Sequence, residues 1–250
     1  MAFEDSTGAK RAPEQPAAAA EPAQDLKRQV TNHNLSEAEA LALLKRPDLP
    51  GDVLEALAQN GSVLRQRRVK LALIQHPKTP RHVSLPLVRQ LYVFEVMQVA
   101  LAPVVPADVK RAADDVLLNH LDTVTAGERL TLAHRGSGRV AEQLLLDEDA
   151  RVAQGALQNS RLTEVSIVRA LARPEVSAAI VEAVCQHPQW SLRREVRMAL
   201  LRNEKTPPAR AAEYARTMPP SQVREILQSS RLPAGVRNLI LKELKGREKK

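Results

Sequence analysis

The sequence predicts an all-α protein built from stacked antiparallel helix pairs, and three observations lead to this prediction. A short polar motif recurs along the chain, with an apolar helical stretch before and after each copy. The positions at which helices must break are almost evenly spaced. The core must be formed by Leu, Ala and Val, since only 2% of the residues are aromatic. Ala and Leu have high helix propensity and allow helices to pack closely.

The recurring motif places a polar residue, often followed by proline, between two helical stretches. Its copies are residues 44–50 (LKRPDLP), 74–80 (IQHPKTP), 157–163 (LQNSRLT), 201–207 (LRNEKTP) and 227–233 (LQSSRLP). Repetition of one unit is typical of stacked-repeat proteins, whose units bury their apolar faces only against their neighbours. The motif therefore predicts an α-solenoid.

The spacing of the helix breaks gives the size of the repeat. Breaks are expected near residues 46, 60, 76, 103, 119, 135, 147, 160, 174, 188, 203, 218 and 230, with one more near Leu91. The mean step is about 14 residues, so a helix pair takes about 28. In the first part of the chain the polar motif falls at alternate breaks, but at residues 203 and 230 it falls at the other set of breaks. Both residues 187–188 (HP) and Asn203 therefore look like the start of a repeat. Either a helix is inserted near residue 188, or the repeat register shifts there.

Local sequence signals set the ends of the ordered region and of several helices. Residues 1–35 are rich in Ala, Pro and Glu and are expected to be a disordered tail. Residues 36–39 (SEAE) and 125–128 (TAGE) are capping boxes, which begin helices. The repeat domain is predicted over residues 36–245, followed by a basic tail at residues 246–250.

Composition also limits the class of protein. Cys185 is the only cysteine of the chain, so no internal disulfide and no multi-cysteine metal site can form. The N-terminus begins acidic without an apolar run, and no window is apolar enough to span a membrane. A cytoplasmic protein without a cofactor is expected.

The repeats resemble HEAT-like repeats, and in particular the leucine-rich repeat variant, whose unit reads roughly V-R-x-x-[AV]-A-x-N-P-x-T-P. The resemblance is carried by residues 69–80 (VKLALIQHPKTP) and 196–207 (VRMALLRNEKTP) and covers about residues 36–245. It implies a helical solenoid that binds a partner. The period here is longer than in the variant family, and the cysteine cluster of some members is missing, so no iron–sulfur cluster is carried over.

Several residues that could serve chemistry have a structural explanation in the same pattern. Cys185 and His187 could be metal ligands or a nucleophile and its base, but their position at a helix end predicts a core residue and a turn residue. His76 and Asn203 occupy equivalent positions at repeat ends, where left-handed backbone or capping would favour both residue types. Residues 136–139 (GSGR) are expected to connect two helices, and the acidic residues 147–149 (DED) to cap one.

Charge gives the strongest functional signal. Residues 36–190 hold 18 basic and 18 acidic residues, whereas residues 191–250 hold 15 basic and 6 acidic residues. If successive helices turn the same face inward, a basic stripe forms, with an exposed tryptophan beside it that could stack on a base or anchor a partner. The residues proposed for this stripe are Trp190, Arg193, Arg194, Arg197, Arg210 and Arg237.

The sequence therefore favours a non-catalytic scaffold or adaptor that binds a protein or peptide, with its basic end steering the partner. The alternative is a nucleic-acid-binding protein that contacts the phosphate backbone through the basic end. An enzyme similar to the HEAT-like DNA glycosylases is less favoured, because no matching aspartate and tryptophan arrangement is present. A repeat protein that delivers a cofactor to another protein is a third possibility.

Overall fold

The computed structural model describes residues 20–247, and all regular secondary structure in this range is α-helical, which confirms the predicted all-α class. The 17 helices of this range are α1 (Ala20–Thr31), α2 (Glu37–Leu44), α3 (Gly51–Gln59), α4 (Gly61–Leu64), α5 (Arg67–Gln75), α6 (Arg81–Val88), α7 (Val93–Leu101), α8 (Ala107–His120), α9 (Ala126–Arg135), α10 (Gly138–Leu144), α11 (Ala150–Leu157), α12 (Glu164–Ala172), α13 (Ala178–Gln186), α14 (Arg194–Arg202), α15 (Pro208–Arg216), α16 (Pro220–Gln228) and α17 (Ala234–Arg247).

The predicted helix breaks agree closely with the observed helix ends. Each predicted position lies within three residues of an observed break, including the additional one near Leu91, which falls between α6 and α7. The break between α4 and α5 was not expected, because α4 has only four residues. Both capping boxes are present, with the backbone N–H groups of Glu39 and Glu128 donating to Ser36 and Thr125.

The chain divides into two compact units at residues 87 and 88, near the end of α6. In the first unit α1 packs against α3, and α2 packs against α5. In the second unit, helices two apart in sequence contact each other. One row of contacts joins α8, α10, α12, α14 and α16, and a second set joins α9 to α11, α11 to α13, and α15 to α17.

Helix α1 corrects the prediction that residues 1–35 are disordered. Leu26 and Val30 are one helical turn apart and give α1 an apolar face, and Val30 is fully buried. The Lys27 ammonium also lies 2.6 Å from the Asp52 carboxylate of α3. The prediction is therefore wrong for residues 20–35, because two apolar side chains in a polar stretch are enough to attach the helix; residues 1–19 lie outside the described range.

The basic tail predicted at residues 246–250 is corrected in the same way at its start. Helix α17 continues through Arg247, whose guanidinium donates to the Ala215 carbonyl at 3.3 Å. Residues 248–250 lie outside the described range.

Five buried polar side chains of the described range bond to the ends of earlier helices, two in the first compact unit and three in the second, and we call this set the turn ladder. Each member lies at the end of a helix and bonds to a backbone carbonyl at the end of an earlier helix. The separations are 30 residues from Asn60 to Val30, 30 from His76 to Arg46, 26 from Asn159 to Ala133, 32 from Asn203 to Leu171, and 29 from Ser230 to Leu201. These separations correspond to the repeat period expected from the sequence.

The second bond of each ladder residue explains why these positions are polar. The side chain of Asn203 accepts from the backbone N–H of Lys205 at 2.8 Å, and that of Asn159 accepts from Arg161 in the same way. His76 accepts from Lys78 through Nδ1, so its Nε2 carries the proton and donates to the carbonyl. None of the described non-glycine residues has a positive φ, so the left-handed backbone expected at these positions is wrong and side-chain capping accounts for them.

Near residue 188 no helix is inserted; instead, the ladder residues move from one row of helices to the other. Asn159 ends α11 and bonds to the end of α9, whereas Asn203 ends α14 and bonds to the end of α12. The row from α8 to α16 continues without interruption through this region. The ladder therefore moves from the odd-numbered to the even-numbered helices.

Candidate partner-binding surface

Trp190 belongs to the core and not to the surface. It lies in the turn between α13 and α14, is only 5% exposed, and its ring centroid is 6.0 Å from that of His187. The backbone N–H of Trp190 donates to the Nδ1 of His187, a hydrogen bond within the same turn. The expectation of an exposed tryptophan is wrong, because this turn offers a large apolar side chain a buried position.

Arg193 and Arg194 do lie at the surface, at the start of α14. Arg193 is the N-cap residue and is exposed. Arg194 is also exposed and donates to the side-chain carbonyl of Gln222, on α16, at 3.1 Å. Arg237 lies on α17 and is half-buried, and its Nε has no hydrogen-bond partner among the described residues.

Arg197 and Arg210 are held by neighbouring groups of the chain. The Arg197 guanidinium donates to the Ser191 carbonyl at 2.7 Å and lies 5.5 Å from the centroid of the Tyr214 ring. It is half-buried, which corrects the expectation that it faces solvent. Arg210 forms an ion pair with Glu213 at 2.8 Å. That this set of residues binds a partner stays a prediction.

Other basic residues of the C-terminal segment bond to backbone carbonyls of earlier repeats. Lys205 donates to the carbonyls of Pro174 and Val176, and Arg231 donates to that of Ala172. Cations at the C-terminal ends of helices interact favourably with the helix dipole. Part of the positive charge that the sequence concentrates in this segment therefore stabilises the packing of neighbouring helix ends.

Cys185 and His187 have the structural roles that the sequence predicts. Cys185 is 2% exposed and lies in α13, where burial raises the pKa of its thiol. Its backbone carbonyl accepts a hydrogen bond from the Tyr214 hydroxyl at 3.2 Å. His187 ends α13, and burial lowers its pKa. Burial disfavours the thiolate form of Cys185, and the Nδ1 of His187 accepts from backbone N–H groups of its own turn, so packing and turn formation account for the two residues.

The connector of residues 136–139 also has the predicted structural role. Ser137 is the N-cap of α10 and accepts from the backbone N–H of Val140. Its hydroxyl donates to the Asp114 carboxylate of α8 at 2.7 Å, and burial raises the pKa of that carboxyl. A Cβ atom at Gly138 would overlap the carbonyl oxygen of Arg161, so close packing of the two turns requires glycine here.

The acidic residues 147–149 cap a helix as predicted and make one buried ion pair. Asp149 is the N-cap of α11, and its bonds to Arg151 lower the pKa of its carboxyl. Asp147 lies 2.8 Å from the Arg129 guanidinium, and both side chains are largely buried.

A cleft that the sequence pattern does not predict lies on the row of even-numbered helices, and we call it the arginine cleft. It lies between α10 and α12, reaches Leu118 of α8, and encloses about 510 Å³. Its basic residues are Arg139, Arg161, Arg169 and Arg173, and its single acidic lining residue is Glu142. Three of these arginines lie within 13 residues of sequence, a local basic cluster that the even charge balance of residues 36–190 concealed.

Among residues 20–247, no group of three or more His, Cys, Asp or Glu side chains is arranged to hold a metal ion. None of the helices in this range combines the length and apolar composition that crossing a membrane requires. Comparison of the chain with protein-family models, with curated proteins and with solved structures finds no match.

Proposed function

We propose that the protein is a non-catalytic helical-repeat scaffold that binds a protein or peptide partner. The turn ladder is the observation on which this proposal depends, because the same kind of bond joins helix ends about one repeat apart, twice within the first compact unit and three times within the second. Repetition of one contact creates an extended surface of helices, which is how α-solenoids present binding sites. The HEAT-like resemblance of the repeats supports the same interpretation.

The contacts of the second unit support a solenoid of stacked antiparallel helix pairs there. Each even-numbered helix from α8 to α14 contacts the next even-numbered helix, and neighbours such as α9 and α10 also contact each other. Side chains that do not pack between helices are then presented in parallel on successive helices. The arginine cleft and the exposed Arg193 and Arg194 lie on helices of this row.

Nucleic-acid binding through the basic C-terminal segment is the second candidate function. Exposed Arg193 and Arg194 at the start of α14 favour it, since a basic surface attracts phosphate groups. The buried Trp190 removes the stacking platform that this function was expected to use.

One experiment separates the two functions. The full chain is immobilised and incubated with native lysate of its own cells, with and without nuclease. We expect a protein to be retained in near-stoichiometric amount under both conditions. Loss of all bound material after nuclease treatment would support the nucleic-acid function instead, and retention of nothing would contradict both. The charge-reversal variant of Arg193 and Arg194 shows whether the predicted stripe contributes.

A further inference from the structure

The arginine cleft carries more positive charge than its own carboxylates neutralise. Arg139 pairs with Asp115 at 2.7 Å, and Arg169 lies 3.9 Å from Glu142. The other two arginines of the cleft have neutral partners. Two guanidinium charges therefore remain without a carboxylate partner in the cleft.

The neutral partners leave these two guanidinium groups available to an anion. Arg173 donates to the side-chain carbonyl of Gln143 at 3.2 Å, and Arg161 donates to the Arg135 backbone carbonyl at 3.4 Å. Both arginines are exposed. An arginine has five N–H donors, so one such bond leaves most of the guanidinium free to bind a carboxylate in bidentate fashion.

We propose that the arginine cleft binds an acidic segment of the protein partner, in extended conformation. This proposal rests on the scaffold function proposed above and names the chemistry of its partner. The cleft follows α12 from Thr163 to Arg173, a length of about 15 Å at 1.5 Å per helical residue. An extended peptide covers this length with about five residues, so two acidic groups at that spacing reach both ends.

The lining of the cleft favours a peptide over a nucleic acid. Among the described residues that line it there is no aromatic side chain on which a base could stack. Glu142 lies inside the cleft and Asp115 pairs with one of its arginines, and both carboxylates would repel a continuous row of phosphates. A peptide with separated acidic residues can place its carboxylates at the arginines and neutral residues beside Glu142.

The test uses a fluorescein-labelled peptide, Glu-Glu-Ser-Gly-Ser-Ser-Glu-Glu, and the full chain. The matched peptide has Gln in place of every Glu. The cleft variant is Arg161→Gln with Arg173→Gln, the two exposed arginines of the cleft whose partners are neutral. The control variant is Arg65→Gln with Arg68→Gln, which removes two exposed charges outside the cleft lining. Arg173→Gln is a second, single cleft variant.

We expect the acidic peptide to bind the wild-type chain in a salt-dependent way and the Gln peptide not to bind. The cleft variant should weaken binding at least tenfold, Arg173→Gln severalfold, and the control variant less than twofold. Circular dichroism should show the same helical content in all variants. Equal binding of both peptides, or a greater loss in the control variant, would overturn the proposal.

Two further measurements separate this proposal from its alternatives. A 20-nucleotide DNA, single-stranded or duplex, that binds more tightly than the peptide and loses affinity in the cleft variant would overturn the peptide assignment. Retention of the lysate partner by the cleft variant at wild-type level would also overturn it while leaving the scaffold function intact. Retention of no partner by the wild-type chain would contradict the scaffold function itself.

Discussion

Replacing Asn203 by alanine tests whether the turn ladder stabilises the fold. Asn203 is 7% exposed, and its Nδ2 donates to the Leu171 carbonyl at 2.7 Å. Its Oδ1 accepts from the backbone N–H of Lys205 at 2.8 Å. Leu171 lies in the last turn of α12, where carbonyls have no partner within the helix. The substitution therefore removes the partners of a backbone carbonyl and a backbone N–H.

The expected loss follows from these two groups. A buried backbone group that loses its hydrogen-bond partner costs about 1–3 kcal/mol. Lys205 is less buried than Leu171, so its N–H loses less than the Leu171 carbonyl. We therefore expect the free energy of unfolding to fall by about 3 kcal/mol in total. In a chain of this size, 1 kcal/mol corresponds to about 2–4 °C, so the Tm should fall by about 6–12 °C.

The chain itself supplies a matched rescue and a control. His76 occupies the same structural position, with Nε2 2.9 Å from the Arg46 carbonyl, so Asn203→His should recover part of the lost stability. Asn238 is exposed on α17, and Asn238→Ala should change the free energy of unfolding by less than about 0.5 kcal/mol. The measurement is thermal and urea unfolding followed by circular dichroism. An Asn203→Ala effect as mild as that of Asn238→Ala, or a histidine variant no more stable than the alanine variant, would show that the ladder bond does not stabilise the fold.

Two further substitutions test helix attachment and turn packing. Val30→Ala should destabilise the first unit by about 1.5–3 kcal/mol in urea unfolding, because Val30 is fully buried. Arg28→Ala, on the exposed face of α1, should have little effect. Equal effects of the two substitutions would mean that α1 does not stabilise the unit. Gly138→Ala should lower the Tm by several degrees, because the new Cβ would overlap the Arg161 carbonyl. At Gly127 a Cβ meets no atom within 4 Å, so Gly127→Ala should be neutral or stabilising. A small effect of Gly138→Ala on the Tm would show that the two turns can move apart.

The positions of the helices were predictable because each break depends on local chemistry. Proline, asparagine and capping serine or threonine residues act within a few positions in sequence, so the helix ends could be located without the fold. Helix α1 was missed because its apolar face consists of little more than Leu26 and Val30, too few residues to stand out in a polar stretch. Its order depends on packing against α3, which a local pattern does not contain.

The candidate binding residues were less predictable than the helix ends, because the exposure of a side chain depends on how neighbouring helices pack around it. Trp190 and Arg197 follow a surface-like spacing in sequence, yet one is buried in a turn and the other is held against Tyr214. The arginine cleft joins residues of α10 and α12, and only the stacking of these helices brings Arg139 near Arg169. The basic cluster of residues 161–173 is visible in the sequence, but the sequence does not show that α10 contributes Arg139 to the same cleft.

Net charge is a poor guide to partner binding in this chain, because several of its cations bond to backbone carbonyls at the ends of earlier helices. Each of Lys78, Arg161 and Lys205 stands two residues after a ladder residue, and each reaches back to a backbone carbonyl of an earlier repeat. These cations compensate the negative ends of helices, so their number should grow with the number of repeats even without an anionic partner. A binding site is better identified where cations converge beyond this recurring role. Arg173 is not ladder-associated and has a neutral partner, and it converges with Arg139, Arg161 and Arg169 in one cleft. For this reason the cleft, rather than the more strongly charged C-terminal segment, is where we place the acidic partner.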